Sequence, residues 1–337
     1  MFGTSSFDQL PGGLTTFRDV SLTTASGDLL APWIDQFNTS SADATALLNN
    51  FFEAPGVALQ QFVANESGFV QDLLTDPTDT NAVTQQFQSN LDAVISGYGL
   101  QNADADTTTT VLSHTLDRVG IANGHATLFS EIPGYLPADQ AATITPIINF
   151  LASPASGIIM GSLGPFISPW IALMNSITDG DDLNTTLANM MGAFFNGADL
   201  SLNSLLPVIN EQGLFPGDMS MSNLDIAFGG LFSPGGVGTN SAGVGGSIFN
   251  SVGINFINVP SIGTLNAPSQ AIGPIGAWEG WAQIVATLIG WDGSGSPLAD
   301  TTLPIVPADF LDGATSSAAA GADLSGLLQD ILSGFGL

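Results

Sequence analysis

Residues 140–178 read QAATITPIINFLASPASGIIMGSLGPFISPWIALMNSIT, a stretch without a single charged side chain. Its length and apolar content would suffice to cross a bilayer, but Pro146, Pro154, Pro165 and Pro169 interrupt it. A simple spanning helix needs about 18 to 20 continuous apolar residues, and proline kinks or ends a helix. The stretch therefore predicts a broken helical hairpin or a buried pair of core helices.

The chain before this stretch predicts short amphipathic helices, because apolar residues recur there at every third or fourth position. The apolar stripes lie at 29–37, 47–52, 59–63, 69–74 and 83–95. Pro55-Gly56 and Asp76-Pro77 mark two of the breaks between them. A further apolar helix is expected at 183–195, ending at Asn196-Gly197. This half of the protein is expected to be helical.

The C-terminal half changes character, because it contains a glycine-rich segment with extended patterns on both sides. Leu224, Ile226 and Phe228 alternate with other residues, and a second extended run covers 252–259. Alternation with β-branched and aromatic residues is typical of strands. We therefore predict a mainly α protein of short amphipathic helices with a small antiparallel β segment at about 222–267.

Composition divides the chain into four expected regions. They are an acidic amphipathic helical region (1–139), an apolar, proline-broken helical region (140–215), a glycine-rich β segment followed by a tryptophan-containing helix (216–292), and a linker with a C-terminal amphipathic helix (293–337). Leu324, Leu327, Leu328, Ile331, Leu332 and Phe335 form the stripe of that last helix.

The charge balance is strongly acidic: 30 Asp and Glu face 2 Lys and Arg, which gives a formal net charge of −28. Such a chain repels polyanions, so nucleic acid is excluded as a partner. Only 9% of residues are charged and 44% are hydrophobic, a composition that argues against a disordered acidic chain. The protein is expected either to fold around an apolar core or to contact lipid.

Catalytic signals are sparse, and we predict that the protein is not an enzyme. The chain has no Lys and no Cys, which excludes Schiff-base chemistry, the P-loop lysine and a cysteine nucleophile. His114 and His125 are the only imidazoles. A triad of one histidine with Asp106 or Asp117 and a serine stays open, but polar surface or hydrogen-bonded core histidines are the favoured interpretation.

One acidic loop has part of the spacing of a calcium loop. Asn102, Asp104 and Asp106 match the first, third and fifth ligand positions, where oxygen ligands alternate. Thr107 stands where the loop needs Gly, and Ser113 where it needs Glu. These three residues are a weak calcium candidate beside the alternative of a solvated loop, and no other cofactor is predicted.

The acids also suggest a function that needs no catalytic motif. A passage lined by carboxylates without nearby cations concentrates cations and repels anions. The candidate lining residues are the clustered acids Asp104, Asp106, Asp179, Asp181 and Asp182. Candidates for the lipid–water boundary are Trp278, Trp281 and Trp291, since tryptophan favours that position. The alternatives are acids that only solvate an apolar fold and tryptophans that lie in its core.

Four phrases carry a resemblance to a known family. They are NNFFEAPG at 49–56, LGPFISP at 163–169, IAFGGLFSPGG at 226–236, and AIGPIGAW at 271–278 with IGWDG at 289–293. Together they resemble the GjpA-type outer-membrane porin family of mycolic-acid-containing actinobacteria. The resemblance implies an exported protein of the outer membrane that forms a water-filled channel for small cations.

The resulting hypothesis is an acidic, cation-selective channel or porin-like protein of the actinobacterial cell envelope. It would act as a homo-oligomer, because one chain has too few spanning elements to enclose a wide pore. Met1–Gly13 contains no basic or apolar segment of a secretory signal, so an envelope, outer-membrane or secreted location implies a mature form. The alternative is a secreted soluble helical module that binds envelope lipid or a protein partner through an apolar groove around Phe150 to Phe195.

Overall fold

The computed structural model describes residues 27–119, 123–136, 139–238, 243–299 and 301. The helices are α1 (Gly27–Glu53), α2 (Val57–Thr75), α3 (Thr80–Gly99), α4 (Ala105–Thr115), α5 (His125–Tyr135), α6 (Ala141–Leu151), α7 (Pro154–Asp179), α8 (Leu183–Asn196), α9 (Leu206–Glu211), α10 (Ile248–Ser251) and α11 (Pro274–Leu288). The strands are β1 (Ala198–Ser201), β2 (Ser220–Phe228), β3 (Val252–Val259) and β4 (Gly263–Ala267). The predicted fold class, mainly α with a small antiparallel sheet in the C-terminal half, is confirmed.

The first helices are longer than the sequence pattern suggested. α1 joins the stripes at 29–37 and 47–52 into one helix, because no Gly or Pro lies between them to end it. α2 likewise joins the next two stripes and accommodates Gly68 in its interior. The predicted break at Pro55-Gly56 is present, and Gly56 adopts a left-handed conformation with φ of 63° between the two helices.

The uncharged apolar stretch at 140–178 forms α6 and α7, which pack against each other. The break falls at Ser153, whose side chain accepts a hydrogen bond from the Ser156 amide at 3.3 Å. Pro154 follows in the first turn of α7. The N–H groups of a first turn have no acceptor within the helix, so the proline removes no helical hydrogen bond there. Pro165 and Pro169 lie within α7 and do not end it.

The buried face of α7 is built from small residues that allow very close approach of loops. A Cβ atom at Gly164 would lie 2.2 Å from the carbonyl oxygen of Gly229, and one at Gly157 would lie 2.2 Å from that of Gly246. The hydroxyl of Ser168 donates to the Gly229 carbonyl at 3.1 Å. The glycine-rich segments thus serve as close-packing surfaces for α7.

The sheet has the order β1-β2-β3-β4, with every neighbouring pair antiparallel. β2 and β3 are the two predicted strands. β1 and β4 are outer strands that the sequence pattern did not indicate, and β1 lies in a region expected to be helical. At four and five residues, both are too short to show a clear alternation.

The largest buried cluster joins distant parts of the chain. It consists of Leu100, Val111, Leu116, Ala152 and Ile284, with Trp281 packed against it. α11 supplies Ile284 and also packs against α2, α4 and α7. The tryptophan-containing helix of the third expected region therefore packs against elements of the first two. The predicted C-terminal amphipathic helix lies outside the described residues.

Candidate functional site

A stripe of large apolar side chains runs along the outer face of α7. Its members are Ile159, Leu163, Phe166, Trp170, Met174 and Ile177, each between 46% and 71% exposed. The spacings of three and four residues place them on one side of the helix. This outer stripe lies opposite the buried small residues, so α7 is apolar all round although only one of its faces packs against other described parts of the chain.

The outer stripe has the length of a bilayer's hydrocarbon region. From residue 159 to 177, a helix rises about 27 Å, against about 30 Å for that region. Among the described residues, α7 is the one helix long and apolar enough to cross a membrane, by length and composition alone. Core helices of soluble proteins pass the same test, and 44% of the most apolar window of α7 is buried.

An open apolar groove of about 710 Å³ lies between α1 and α8. Trp33 and Phe37 form its α1 side, and Met191 and Phe195 its α8 side. The sequence predicts an apolar groove around Phe150 to Phe195, and Phe195 lines this one. Phe150 lies on α6 and is not among its lining residues. The volume is within the usual range of about 300 to 1,000 Å³ for ligand pockets.

A second groove, of about 900 Å³, is polar and lies between the C-terminal end of α7 and the sheet. We call it the polar groove. Its lining residues are Met174, Asn175, Thr178, Asp179, Asp199, Leu200, Ser201, Asn223, Asp225, Asn255, Asn266, Pro268 and Ser269. Three carboxylates and four primary amides line this space, and no Lys, Arg or His is among its described lining residues.

The carboxylates of the polar groove differ in their surroundings. Asp225 accepts hydrogen bonds from the Asn223 amide and the Ser269 hydroxyl, one on each carboxylate oxygen. Burial, together with the charge of Asp225, raises the pKa of Asp199 above its usual value. The position opposite Asp225 on β3 is Gly253, which leaves room for the carboxylate.

The five acids predicted to line a pore lie at two helix junctions. Asp104 caps the N-terminus of α4 and accepts from the Thr107 amide at 2.7 Å, while Asp106 lies exposed in the first turn. Asp182 caps the N-terminus of α8 in the same way, and Asp181 accepts from Asn189 at 3.1 Å. The remaining acid, Asp179, borders the polar groove.

The two capping acids have a structural role. Hydrogen bonds from the first turn of each helix hold the pKa of Asp104 and of Asp182 below its usual value. Asp104 lines one surface groove and Asp179 lines another, so these two predicted pore-lining acids do not share a groove.

The calcium candidate is arranged around a helix start. Asn102 adopts a left-handed backbone conformation with φ of 57°, and Asp104 directs one carboxylate oxygen to the α4 amide. Within the described parts of the chain, no group of three or more His, Cys, Asp or Glu side chains is placed to hold a metal ion.

The histidines are occupied by structural contacts. The ring Nδ1 of His125 contacts the Asp117 carboxylate, and Nε2 contacts the Val252 carbonyl oxygen at 2.8 Å. His114 contacts Thr110 and Ser113 on its own helix, and burial lowers its pKa. Since both ring nitrogens of His125 already have partners, it is not placed to activate a serine in a triad.

The three boundary tryptophans have different environments. Trp281 packs against the main buried cluster and forms an edge contact with Tyr98 at 5.2 Å between centroids. Trp291 packs against a smaller cluster that includes Ala286. Trp278 is 56% exposed. A more exposed tryptophan, Trp170 in the outer stripe, was not among the candidates.

Sequence reasoning missed the polar groove. Its residues come from four strands, one helix end and the segment after β4, so no local motif joins them. A faint signal was present, since Asn223, Asp225 and Asn255 occupy alternate strand positions facing away from the apolar residues of β2 and β3. Comparisons with family models, curated proteins and solved structures found no match to this chain.

Proposed function

We propose that this chain is an acidic protein of the cell envelope that contacts lipid through an apolar surface centred on α7. The observation that carries the proposal is the outer stripe: six large apolar side chains, all substantially exposed, on a helix without a charge before Asp179. Large contiguous apolar patches are rare on soluble monomers and often mark interaction surfaces. The apolar groove between α1 and α8 adds a second exposed apolar surface.

The net negative charge of the protein favours contact with neutral lipids over anionic lipids. A net charge of −28 repels anionic headgroups, while uncharged and zwitterionic headgroups carry no such penalty. The proposed contact is therefore with neutral lipid and is driven by burial of apolar side chains. High salt should leave it intact, because it does not depend on attraction between charges.

Co-flotation with phosphatidylcholine vesicles tests this proposal. We expect the wild-type protein to float with the vesicles, and Phe166→Asp and Trp170→Asp each to reduce the bound fraction strongly. Gln85→Asp, which adds the same charge at an exposed position of α3, is the matched control and should float like the wild type. A wild-type protein that stays at the bottom of the gradient would refute lipid contact.

A second candidate function is the cation-selective channel suggested by the acids and by the porin resemblance. The observation that favours it is the acidic polar groove at one end of the outer stripe, because Met174 belongs to both. Several copies would be needed to enclose a pore. The test is single-channel conductance in a planar bilayer under a salt gradient. Stable steps with a cation-selective reversal potential, weakened by Asp179→Asn, support it; a silent bilayer refutes it.

A further inference from the structure

The floor of the polar groove is a ladder of polar side chains across the sheet. Ser201 on β1 is paired with Asp225 on β2. Two residues earlier on β2, Asn223 is paired with Asn255 on β3. Asn255 is paired in turn with Asn266 on β4. Directly paired residues of antiparallel strands point to the same face. Amide, hydroxyl and carboxylate groups thus lie side by side over all four strands.

Part of this ladder has unused hydrogen-bonding capacity. The Asn223 side chain is engaged, because it donates to Asp225 and accepts from Asn203 at 3.1 Å. By contrast, the side-chain amides of Asn255 and Asn266 have no hydrogen-bond partner elsewhere in the described structure. Each primary amide offers two donors and one acceptor oxygen. Two adjacent amides in a groove are therefore free to bind a ligand.

The chemistry of the lining restricts the class of ligand. Asp179, Asp199 and Asp225 disfavour phosphate, sulfate and carboxylate groups, since no cationic side chain among the lining residues compensates for them. No described cluster of acids is placed to hold a metal ion. Hydroxyl groups fit the remaining pattern, because they donate to carboxylates and both accept from and donate to amides.

We infer that the polar groove binds an uncharged carbohydrate, with Asn255 and Asn266 as the principal contacts. A volume of about 900 Å³ is large enough for a small saccharide. The groove also adjoins the C-terminal part of the outer stripe, because Met174 belongs to both. The sugar has two candidate sources, a free saccharide or the headgroup of a glycosylated lipid whose chains lie along α7. The second source rests on the proposed lipid contact, whereas sugar binding itself does not.

The first experiment uses free saccharides. Wild-type protein is screened against an array of neutral glycans, and the strongest ligand is measured by calorimetry with a chelator present. We expect Asn255→Ala and Asn266→Ala each to weaken binding about tenfold. Asn81→Ala, an exposed asparagine on α3, should bind like the wild type. Since neither groove amide has a protein partner to lose, both variants should keep the wild-type melting temperature.

The second experiment separates the two sources. Binding to phosphatidylcholine vesicles is compared with binding to the same vesicles containing digalactosyldiacylglycerol. A gain on the glycosylated vesicles that Asn255→Ala and Asn266→Ala abolish identifies a lipid headgroup; binding of free glycans alone identifies a soluble saccharide. If no glycan binds in either form, or if the asparagine variants bind as well as the wild type, the inference is overturned. Flotation with plain vesicles would still report on lipid contact separately.

Discussion

Asp117 and His125 form a completely buried pair in which one carboxylate oxygen contacts both the ring Nδ1 and the backbone amide of the histidine. The Asp117 amide in turn donates to Asn250 at 2.8 Å, and the other ring nitrogen contacts Val252. It is the single close contact between a carboxylate and a basic side chain within the described residues. The pair ties α4, α5 and the start of β3 together at a point without solvent.

Breaking this pair should strongly destabilise the protein. Removal of one partner from a buried pair typically costs about 3 to 5 kcal/mol, because the other polar group remains buried without a partner. We expect Asp117→Ala and His125→Leu each to lower the free energy of unfolding by that amount in urea titrations. Asp139→Asn, an exposed acid, should change it by less than about 0.5 kcal/mol. A cost below about 1 kcal/mol for both pair variants would contradict a structural role.

The close approach of α7 to the glycine-rich loops gives a second prediction. Gly164→Ala would place a Cβ atom 2.2 Å from a backbone carbonyl oxygen, which cannot be relieved by a side-chain rotation. We expect a loss of about 2 kcal/mol or more, as in other overpacked cores. Gly68→Ala in α2 is the matched control, because nothing lies within 4 Å of the added atom.

The two alanine variants should therefore act in opposite directions. Alanine has a higher helix propensity than glycine, so Gly68→Ala should stabilise the protein by about 0.5 to 1 kcal/mol. Thermal unfolding followed by circular dichroism measures both variants under one set of conditions. Equal effects at the two positions would mean that α7 does not pack against the Gly229 loop as described.

The sequence indicated the helices far better than the surfaces they form. The period of the apolar residues located α3, α8 and α11, because each stripe lies in one continuous helix. It could not show that Gly157 and Gly164 mark the buried face of α7, since α7 is apolar all round and periodicity needs a polar side. The polar groove was beyond reach for another reason: strand pairing between residues such as Asn223 and Asn255 is a nonlocal property.

Acidification from pH 7 should first stabilise the protein. Burial of the Asp43 carboxyl raises its pKa from 3.8 to about 6. The folded state then binds the proton more tightly than the unfolded state, so protonation of Asp43 adds to the free energy of unfolding. This stabilisation is complete below about pH 4 and is lost as the pH rises through about 6. Burial also raises the pKa of Glu66, Asp199 and Glu279, which act in the same direction.

Urea titrations at pH 5 and pH 7 measure this effect. We expect the free energy of unfolding to be higher at pH 5 than at pH 7. Asp43 should contribute about 1 kcal/mol of this difference, after allowance for solvent screening of a half-buried group. Asp43→Asn should reduce the difference between the two pH values, and Asp92→Asn, at an exposed position, should not. A wild-type protein that is less stable at pH 5 than at pH 7 would contradict the prediction.

The acids proposed to line a pore should separate into two groups on substitution. Asp104→Ala and Asp182→Ala remove the side chains that accept hydrogen bonds from the first turns of α4 and α8, so each should lower the melting temperature by about 2 °C. Asp179→Ala removes no described cap and should leave the melting temperature unchanged. An equal loss at all three positions would show that Asp179 also supports the fold.

The tryptophans provide a direct test of which surface meets lipid. Trp170 is 63% exposed in the outer stripe, whereas Trp281 packs against the main buried cluster. Brominated phosphatidylcholine quenches only tryptophans that reach the acyl chains. We therefore expect Trp170→Phe to remove most of the quenchable fluorescence of vesicle-bound protein, and Trp281→Phe to remove fluorescence that was never quenched. Undiminished quenching in the Trp170→Phe protein would place the lipid contact elsewhere, with exposed Trp278 or Trp33 of the α1–α8 groove as the next positions to substitute.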